Sequence, residues 1–272
     1  MSGKSLQIKI ENNTARSVEY QVKNKEIETA TAGNIIFAID LAKAFHDLIG
    51  ADIIPKAEME KLESSVLGLS VPILFLGIKI PSQRLRQLFN GKEELHYFCH
   101  VKKLNTDPDD INFFTNCHMV IHASSLVNPD HAPQGCSNLQ IYLACPPIGW
   151  QRNWGLINGQ RTEKYTQLKE KVIGDVLSSL ESLIPELKDR SIIEVCELGT
   201  PYTNERYTGN TNGVALGFNF DGYRLGPSRI KSYYNYLNNV RNLYFIGHQT
   251  GYGGVLDVAY NSAKNVADKI AK

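Results

Sequence analysis

The chain has 272 residues, of which 42% are hydrophobic, enough to fill the core of one large domain or two modest ones. Its 29 basic and 28 acidic residues leave a formal net charge of +1, so no global positive field favours binding to nucleic acid. Its 21 glycines and 11 prolines are ordinary usage, which excludes collagen-like and disordered classes.

Neither the N-terminal residues nor the cysteines indicate export. Residues 1–11 mix charged and apolar side chains and lack the apolar core of a signal peptide. The longest apolar stretch, residues 66–80, is interrupted by polar residues and glycine, and it is shorter than the roughly 20 residues that a membrane-spanning helix needs. Five cysteines without a CxxC pair fit reduced thiols. We therefore expect a cytoplasmic protein.

The first fifty residues predict a small antiparallel sheet followed by an α/β layer. Three segments alternate polar and apolar residues and are separated by asparagines, which predicts a meander: residues 6–10, 17–22 and 26–29. Residues 34–39 form a continuous apolar run, which is typical of a strand buried on both faces. Residues 41–49 then predict a short helix that ends at Gly50.

The middle of the chain predicts an antiparallel sheet covered by a long helix. Four strands are expected near residues 70–80, 94–101, 111–123 and 138–145. The helix follows from six apolar residues that recur at spacings of three and four: Tyr165, Leu168, Val172, Val176, Leu180 and Leu183. Thr162 is its expected N-cap, and Pro185 lies beyond its expected end.

The last residues predict a strand, a glycine-rich turn and a helix, over residues 240–246, 247–254 and 255–271. Such a turn presents unpaired backbone N–H groups and the positive end of the helix dipole, which suits an anionic or electron-rich ligand. Gly251, Gly253 and Gly254 have no Cβ to hold a flat ring away from the backbone. Glycine-rich turns are common, however, and an ordinary terminal strand and helix is the alternative.

Two segments of the chain resemble one group of flavoproteins. Residues 243–270, LYFIGHQTGYGGVLDVAYNSAKNVADKI, resemble the C-terminal flavin-binding segment of the phytoene desaturase, carotenoid isomerase and retinol saturase group of the flavin amine oxidoreductase superfamily. Residues 200–218, TPYTNERYTGNTNGVALGF, look like the segment that precedes it in the same group. The meander and apolar run at the start are similar to the part of those proteins where the chain leaves the cofactor domain.

The resemblance implies an α/β (α+β mixed) fold, with a partial FAD-binding Rossmann-like domain and a mixed-sheet substrate domain. Residues 1–50 and 197–272 would belong to the FAD domain, and residues 51–196 would form the substrate domain. FAD would be bordered, through backbone N–H groups more than side chains, by Gly247, His248, Gln249, Thr250, Gly253, Gly254 and Val255. Amine oxidases usually carry an acidic residue at the position of His248, so this histidine favours the phytoene desaturase and carotenoid isomerase branch.

By the same resemblance, Arg206 and Tyr207 would lie on the substrate side, where the substrate domain returns to the flavin. For the neighbouring Glu205, a surface ion pair is the simpler interpretation. No catalytic acid or base is assigned, because hydride chemistry on an isoprenoid needs mainly a positioned flavin and a dry pocket.

The 272 residues contain no GxGxxG turn, the element that normally holds the pyrophosphate of a dinucleotide. The sequence therefore looks like the C-terminal part of a longer flavoprotein, inactive and weak in FAD binding by itself. A separate N-terminal FAD-binding chain is one partner that this interpretation allows. Without neighbouring strands, residues 34–39 and the strand ending at Ile246 should expose apolar edges.

The predicted function is an FAD-dependent oxidoreductase of the desaturase, saturase or isomerase type, acting on an apolar isoprenoid or polyene. The alternatives are a non-catalytic lipid- or carotenoid-binding or complementing subunit, and an amine oxidase-like flavoenzyme. Peripheral membrane contact would suit such substrates. A metal site is not predicted, because the spacings match no zinc pattern among the candidate ligands His96, Cys99, His100, Cys117, His118 and His122.

Overall fold

The computed structural model describes residues 3–22, 25–65, 67–98, 114, 118–143, 154, 156–157, 159–218, 235–250 and 256–272. Its helices and strands form two compact units. The split unit comprises residues 1–69 and 209–272, and the inserted unit comprises residues 70–208. Each unit has its own buried apolar cluster, and the two clusters share no residue. The α/β fold class predicted from the sequence is confirmed.

The split unit begins with the expected meander. Strands β1 (Gly3–Glu11), β2 (Thr14–Val22) and β3 (Ile27–Thr31) pair antiparallel in the order β1-β2-β3. Asn12 and Asn13 form the turn between β1 and β2 with positive φ angles of 48° and 58°. Positive φ at both central residues is the condition for the turn type that matches strand twist, and asparagine tolerates it.

Strand β4 (Ile35–Phe37) pairs in parallel with β12 (Leu243–Phe245), which is buried along its whole length. The prediction that β4 is buried on both faces was wrong, because Ile36 is 48% exposed and the nearby Ile39 is 43% exposed. This exposure agrees with the expectation that residues 34–39 lack neighbours, whereas the strand ending at Ile246 does not show it, since β12 is buried. Among the described residues β4 pairs only with β12, so its other edge has no neighbouring strand. Phe245 of β12 packs edge-on against Phe45, with ring centroids 5.5 Å apart.

Several helices belong to the same unit as this pair of strands. Helix α1 (Leu41–Lys43) continues as a π-helix (Ala44–Ile49) and ends at Gly50, whose φ of 98° favours glycine. The other helices described in the split unit are α2 (Lys56–Glu63), a 3₁₀ turn (Thr211–Gly213), a second 3₁₀ turn (His248–Thr250) and α7 (Leu256–Ile270).

The inserted unit is built on a five-stranded antiparallel sheet. Its strand order is β11-β5-β8-β7-β6, with β5 (Ile73–Ile78), β6 (Glu94–Phe98), β7 (His118–His122), β8 (Ser137–Leu143) and β11 (Ile193–Gly199). Strands β9 (Leu156–Ile157) and β10 (Gln160–Arg161) form a separate short hairpin. The four strands predicted in this region are confirmed, whereas β11 was not predicted.

Helix α5 (Glu163–Leu180) packs against one face of this sheet and forms a hydrophobic core with it. Val172 and Val176 of the helix lie in the same buried cluster as Leu74 and Leu76 of β5. The predicted N-cap is confirmed, since the Thr162 hydroxyl accepts a hydrogen bond from the backbone N–H of Tyr165 at 3.4 Å.

Shorter helices complete the inserted unit: α3 (Ser82–Leu88), α4 (Ser124–Val127), three 3₁₀ turns (Pro129–His131, Pro185–Lys188 and Arg190–Ile192) and α6 (Pro201–Thr208). Among the helices that the structure describes, none combines the length and the hydrophobicity that crossing a membrane requires.

Candidate functional site

The carboxyl ends of β4 and β12 lie at the same edge of the parallel pair. Asp40 follows β4, and the 3₁₀ turn His248–Thr250 follows β12. In open parallel sheets, ligands bind beyond the carboxyl ends of the strands. The four described residues of the predicted cofactor site, Gly247 to Thr250, therefore lie where the fold favours a ligand.

A buried carboxylate joins the segments at this edge, and we call it and its partners the Asp40 hub. Asp40 is 2% exposed. Its Oδ1 accepts a hydrogen bond from the backbone N–H of Lys43 at 3.1 Å and so caps α1. Its Oδ2 accepts from the backbone N–H of Thr211 at 2.7 Å and from the Gln249 side-chain Nε2 at 2.9 Å. Three hydrogen bonds offset much of the cost of burying the carboxylate.

The side-chain amide of Gln249 forms two hydrogen bonds within the hub. Its Oε1 accepts a hydrogen bond from the backbone N–H of Leu41 at 2.7 Å, so its amide contacts both the carboxylate and the start of the helix that the carboxylate caps. The Lys43 ammonium donates to the carbonyl of Gly209, next to the segment that carries Thr211. The side chain of Gln249 thus holds protein segments together, and a contribution to a ligand would come from its backbone.

Gly247 shapes the turn between β12 and the hub. Its φ is 114°, a conformation that residues with a Cβ rarely adopt. Its N–H donates to the Ser262 hydroxyl at 2.8 Å, and its carbonyl accepts from the Thr250 hydroxyl at 2.7 Å. A Cβ built on Gly247 meets no atom of the described residues within 4 Å, so with respect to these residues open space lies beside this part of the turn.

His248 carries an unsatisfied polar atom at the same place. Its Nε2 is buried and has no hydrogen-bond partner among the described residues. Burial lowers the pKa of the imidazole from its ordinary value of 6.5, although the nearby Asp40 carboxylate opposes this change. At neutral pH the ring is therefore uncharged, and its Nε2 can donate or accept a hydrogen bond with a bound polar group, depending on the tautomer.

These features fit the group that the sequence implies. An imidazole nitrogen without a partner among the residues described, open space beside Gly247 and the N-terminal end of α7 suit a flat ring with polar edges. The remaining predicted cofactor residues, Gly253, Gly254 and Val255, lie outside the described residues. The assignment of the whole set to FAD stays a prediction.

The predicted substrate-side residues lie in the inserted unit, on α6. The Arg206 guanidinium lies 6.0 Å from the centre of the Tyr207 ring, and Tyr207 is 81% exposed. Glu205 is half-buried on the same helix. Their role toward a substrate stays a prediction.

The histidines and cysteines weighed as metal ligands are only partly described. His118 and His122 lie on β7, whereas Cys99, His100, Cys117 and the side chain of His96 lie outside the described residues. Within the described ranges, no group of three or more potential ligand side chains could hold a metal ion.

Sequence reasoning did not assign Asp40, Thr211 or Ser262 to the site. Asp40 does carry a local signal, since an acidic residue directly after an apolar run and before a helix is a typical N-cap. Its pairing with Gln249 spans 209 positions, and no local pattern indicates it.

No protein-family model matches the chain. Among curated proteins, it is similar to a 4,4'-diaponeurosporene oxygenase from Staphylococcus haemolyticus, with 24% identity over 270 residues that cover 97% of this chain and 45% of that protein. It is also similar to an all-trans-retinol 13,14-reductase from Danio rerio, with 30% identity over 99 residues that cover 35% of this chain and 16% of that protein.

Solved structures with the same fold include an oxidoreductase from Methanosarcina mazei, with a TM-score of 0.53 and 13% identity over 98% of this chain and 49% of that one. A putrescine oxidase redesigned in its cofactor binding has a TM-score of 0.55 and 12% identity over 99% of this chain and 49% of that one. The chain thus spans about half the length of three of these four relatives and a smaller part of the reductase.

Proposed function

We propose that this chain, which is related to the FAD-dependent flavin amine oxidoreductase superfamily, supplies the flavin-facing edge and the substrate domain of an oxidoreductase. The observation that carries the proposal is the edge at the carboxyl ends of β4 and β12. There the Asp40 hub fixes the backbone, the Nε2 of His248 has no partner within the described part of the chain, and the adjacent Gly247 has open space beside it.

The residues at this edge would divide the work of holding FAD. Gly247 and His248 would contact the ring system, the latter through Nε2, and the N-terminal end of α7 would stabilise negative charge on a reduced ring. Asp40 and Gln249 would keep the two strand ends in register. When bound, the flavin supplies the hydride chemistry, for which this edge offers a partly buried, polar surrounding.

The substrate class that we propose is an apolar isoprenoid or polyene, which the enzyme would desaturate, saturate or isomerise. Supporting this, the two curated relatives are named for diaponeurosporene and for retinol, both largely apolar conjugated polyenes. Partial burial of the His248 imidazole lowers its pKa and favours the neutral state, which also suits an apolar site. Amine oxidation is the second candidate, supported by the fold shared with putrescine oxidase.

We further propose that the open edge of β4 pairs with a parallel strand from a dinucleotide-binding unit, within a longer polypeptide or from a separate chain. In the described part of the chain β4 is an edge strand that such an addition would pair, and the layer that accompanies a parallel strand would cover its exposed Ile36. A parallel sheet is normally larger than two strands and covered on both faces. The added unit would supply the GxGxxG turn for the pyrophosphate.

Flavin binding to the purified 272-residue chain tests these proposals. Because this chain would contact the ring system and not the adenosine half, we expect riboflavin and FAD to bind weakly, with dissociation constants within about threefold, or about 0.6 kcal/mol, of each other. Quenching of flavin fluorescence reports both affinities. The variant His248→Phe, which removes the buried nitrogen, should weaken both ligands alike.

Two outcomes would contradict the proposals in different ways. Absence of saturable quenching by either flavin would contradict the proposal that this chain has a flavin-facing site. Binding of FAD far tighter than riboflavin would instead show that this chain recognises the adenosine half, and no further dinucleotide-binding unit would be needed.

A further inference from the structure

The five-stranded sheet of the inserted unit has a groove on the face opposite its core. The groove has a volume of about 490 Å³ and is walled on one side by the loop that contains Pro133 and Cys136. Leu74, Leu76 and Ile78 of β5 point into the core, so the alternate residues Phe75 and Gly77 form the floor on the other face. A volume of a few hundred cubic ångströms is typical of a small-molecule site.

Apolar side chains remain accessible along this groove. Phe75 is 41% exposed, and Val195 of β11 is 52% exposed. Gly77 pairs with Val195 across the strands, and a Cβ on Gly77 would lie only 3.2 Å from the Cβ of Val195. Glycine at this position therefore lets Val195 lie close to β5 and keeps the floor of the groove low.

The groove lies away from the points where the chain enters and leaves the inserted unit. Residue 70 precedes β5, and the side-chain amide of Asn204 on α6 donates to the carbonyl of Val71 at 3.3 Å. Both crossing segments are thus near the end of the sheet where Ile73 pairs with Gly199. The groove follows β5 from Phe75 toward Lys79, at the opposite end.

Two amide side chains in the wall of the groove already have partners. The Asn138 Oδ1 accepts from the Ser124 hydroxyl at 3.0 Å, and its Nδ2 donates to the carbonyl of His131 at 3.1 Å. The Gln140 Oε1 accepts from the Tyr142 hydroxyl at 2.6 Å.

Two further wall residues form an ion pair with each other. Lys79 and Glu194 pair across β5 and β11, so the two charges largely cancel. A ligand would therefore gain from burying Phe75 and Val195, whereas a charged ligand would lose its hydration without gaining a free counter-charge.

We propose that this groove binds an uncharged, apolar small molecule at a site distinct from the carboxyl edge of β4 and β12. The proposal rests on the shape and chemistry of the inserted unit and does not depend on flavin binding. The Cys136 thiol lies in the wall of the groove, which makes it a reporter of occupancy.

The neutral fluorophore N-phenyl-1-naphthylamine, which becomes bright in apolar surroundings, tests the site in the full 272-residue chain. We expect saturable binding that weakens at least about tenfold in Val195→Lys, because a charged side chain then occupies the groove. Val127→Lys is the matched control. Val127 is 64% exposed on α4 of the same unit and does not line the groove, so the change should leave binding unaltered.

A second measurement needs no variant. Saturating fluorophore should slow the alkylation of Cys136 by iodoacetamide at least about fivefold, as followed by mass spectrometry of the peptide that contains it. Equal binding by wild type and Val195→Lys, or unchanged alkylation of Cys136, would overturn the proposal. Dimerisation of the wild type that Val195→Lys abolishes, without saturable fluorophore binding, would assign the face to contact between copies and would also overturn it.

Discussion

At the scale of single residues, Asp40 does most to fix the candidate site. One buried carboxylate caps a helix and holds the backbone of Thr211 and the side chain of Gln249. Since these partners come from three parts of the sequence, the site depends on long-range pairing that local patterns do not encode. The glycine-rich turn and the resemblance indicated Gly247 to Thr250 as site residues. They did not indicate Asp40, which holds this turn through Gln249.

Replacing Asp40 with alanine should destabilise the protein by about 2–4 kcal/mol, because it removes an N-cap and leaves buried donors on Gln249 and Thr211 without an acceptor. Urea unfolding monitored by circular dichroism measures the change. Asp268→Ala removes only an exposed ion pair with Lys264 and should cost less than about 0.5 kcal/mol. Equal effects of the two substitutions would contradict a stabilising role for the hub.

His248 should make stability depend on pH. Burial lowers the pKa of the folded imidazole below 6.5, with Asp40 opposing, whereas the unfolded chain keeps the ordinary value. Below pH 6.5 the unfolded chain therefore binds a proton that the folded protein does not. The free energy of unfolding falls as pH drops through 6.5 and levels off below the folded pKa.

The slope from this one group cannot exceed about 1.4 kcal/mol per pH unit. His248→Gln should remove this part of the pH dependence, which a series of urea titrations between pH 7.5 and about 5 would reveal. A variant with the wild-type slope would show that the folded imidazole titrates normally.

At the scale of secondary structure, the sequence predicted elements whose signal is local. The meander, helix α5 with its Thr162 cap, and the strand and helix at the end of the chain were all indicated by periodicity and cap residues. Strand β11 was missed because a register shift between Ile193 and Val195 interrupts the alternation that identifies a strand. The burial of β4 was overestimated because an apolar run does not show which neighbours a strand has.

The turn after β12 should depend on Gly247 for its backbone conformation. We expect Gly247→Ala to destabilise the protein by about 1–3 kcal/mol, because φ of 114° is strained for alanine although the added methyl group meets no atom. Gly33→Ala is the matched control, since a Cβ there also meets no atom, and it should change stability by less than about 0.5 kcal/mol. Thermal unfolding of the two variants under identical conditions makes the comparison.

At the scale of the whole molecule, the chain forms two compact units. One is continuous in sequence, and the other is made of two segments that lie before and after it in the sequence. The inserted unit, residues 70–208, has its own cluster of buried residues from Leu74 to Leu198. The split unit needs both β4 and β12, which lie on opposite sides of the insertion in sequence. Sequence patterns alone placed the long helix and the sheet together, but which strands pair across the insertion depends on contacts over more than two hundred positions.

Residues 70–208 expressed alone should therefore form a cooperatively folded domain, whereas residues 1–69 alone should not, because β4 and the Asp40 hub lack β12 and Gln249. Thermal unfolding by circular dichroism distinguishes the two. A sharp transition for residues 1–69, or none for residues 70–208, would contradict the division into these units.

The parallel pairing of β4 with β12 also sets an order of events during protein synthesis. The ribosome synthesises residues 38–242 after β4 and before β12. At cellular translation rates, the synthesis of this segment takes on the order of ten seconds or more. Throughout that interval the apolar residues of β4 have no strand beside them, while the inserted unit can already complete its own sheet. Nascent chains stalled within this window are thus the form of the protein most exposed to aggregation and most in need of a chaperone.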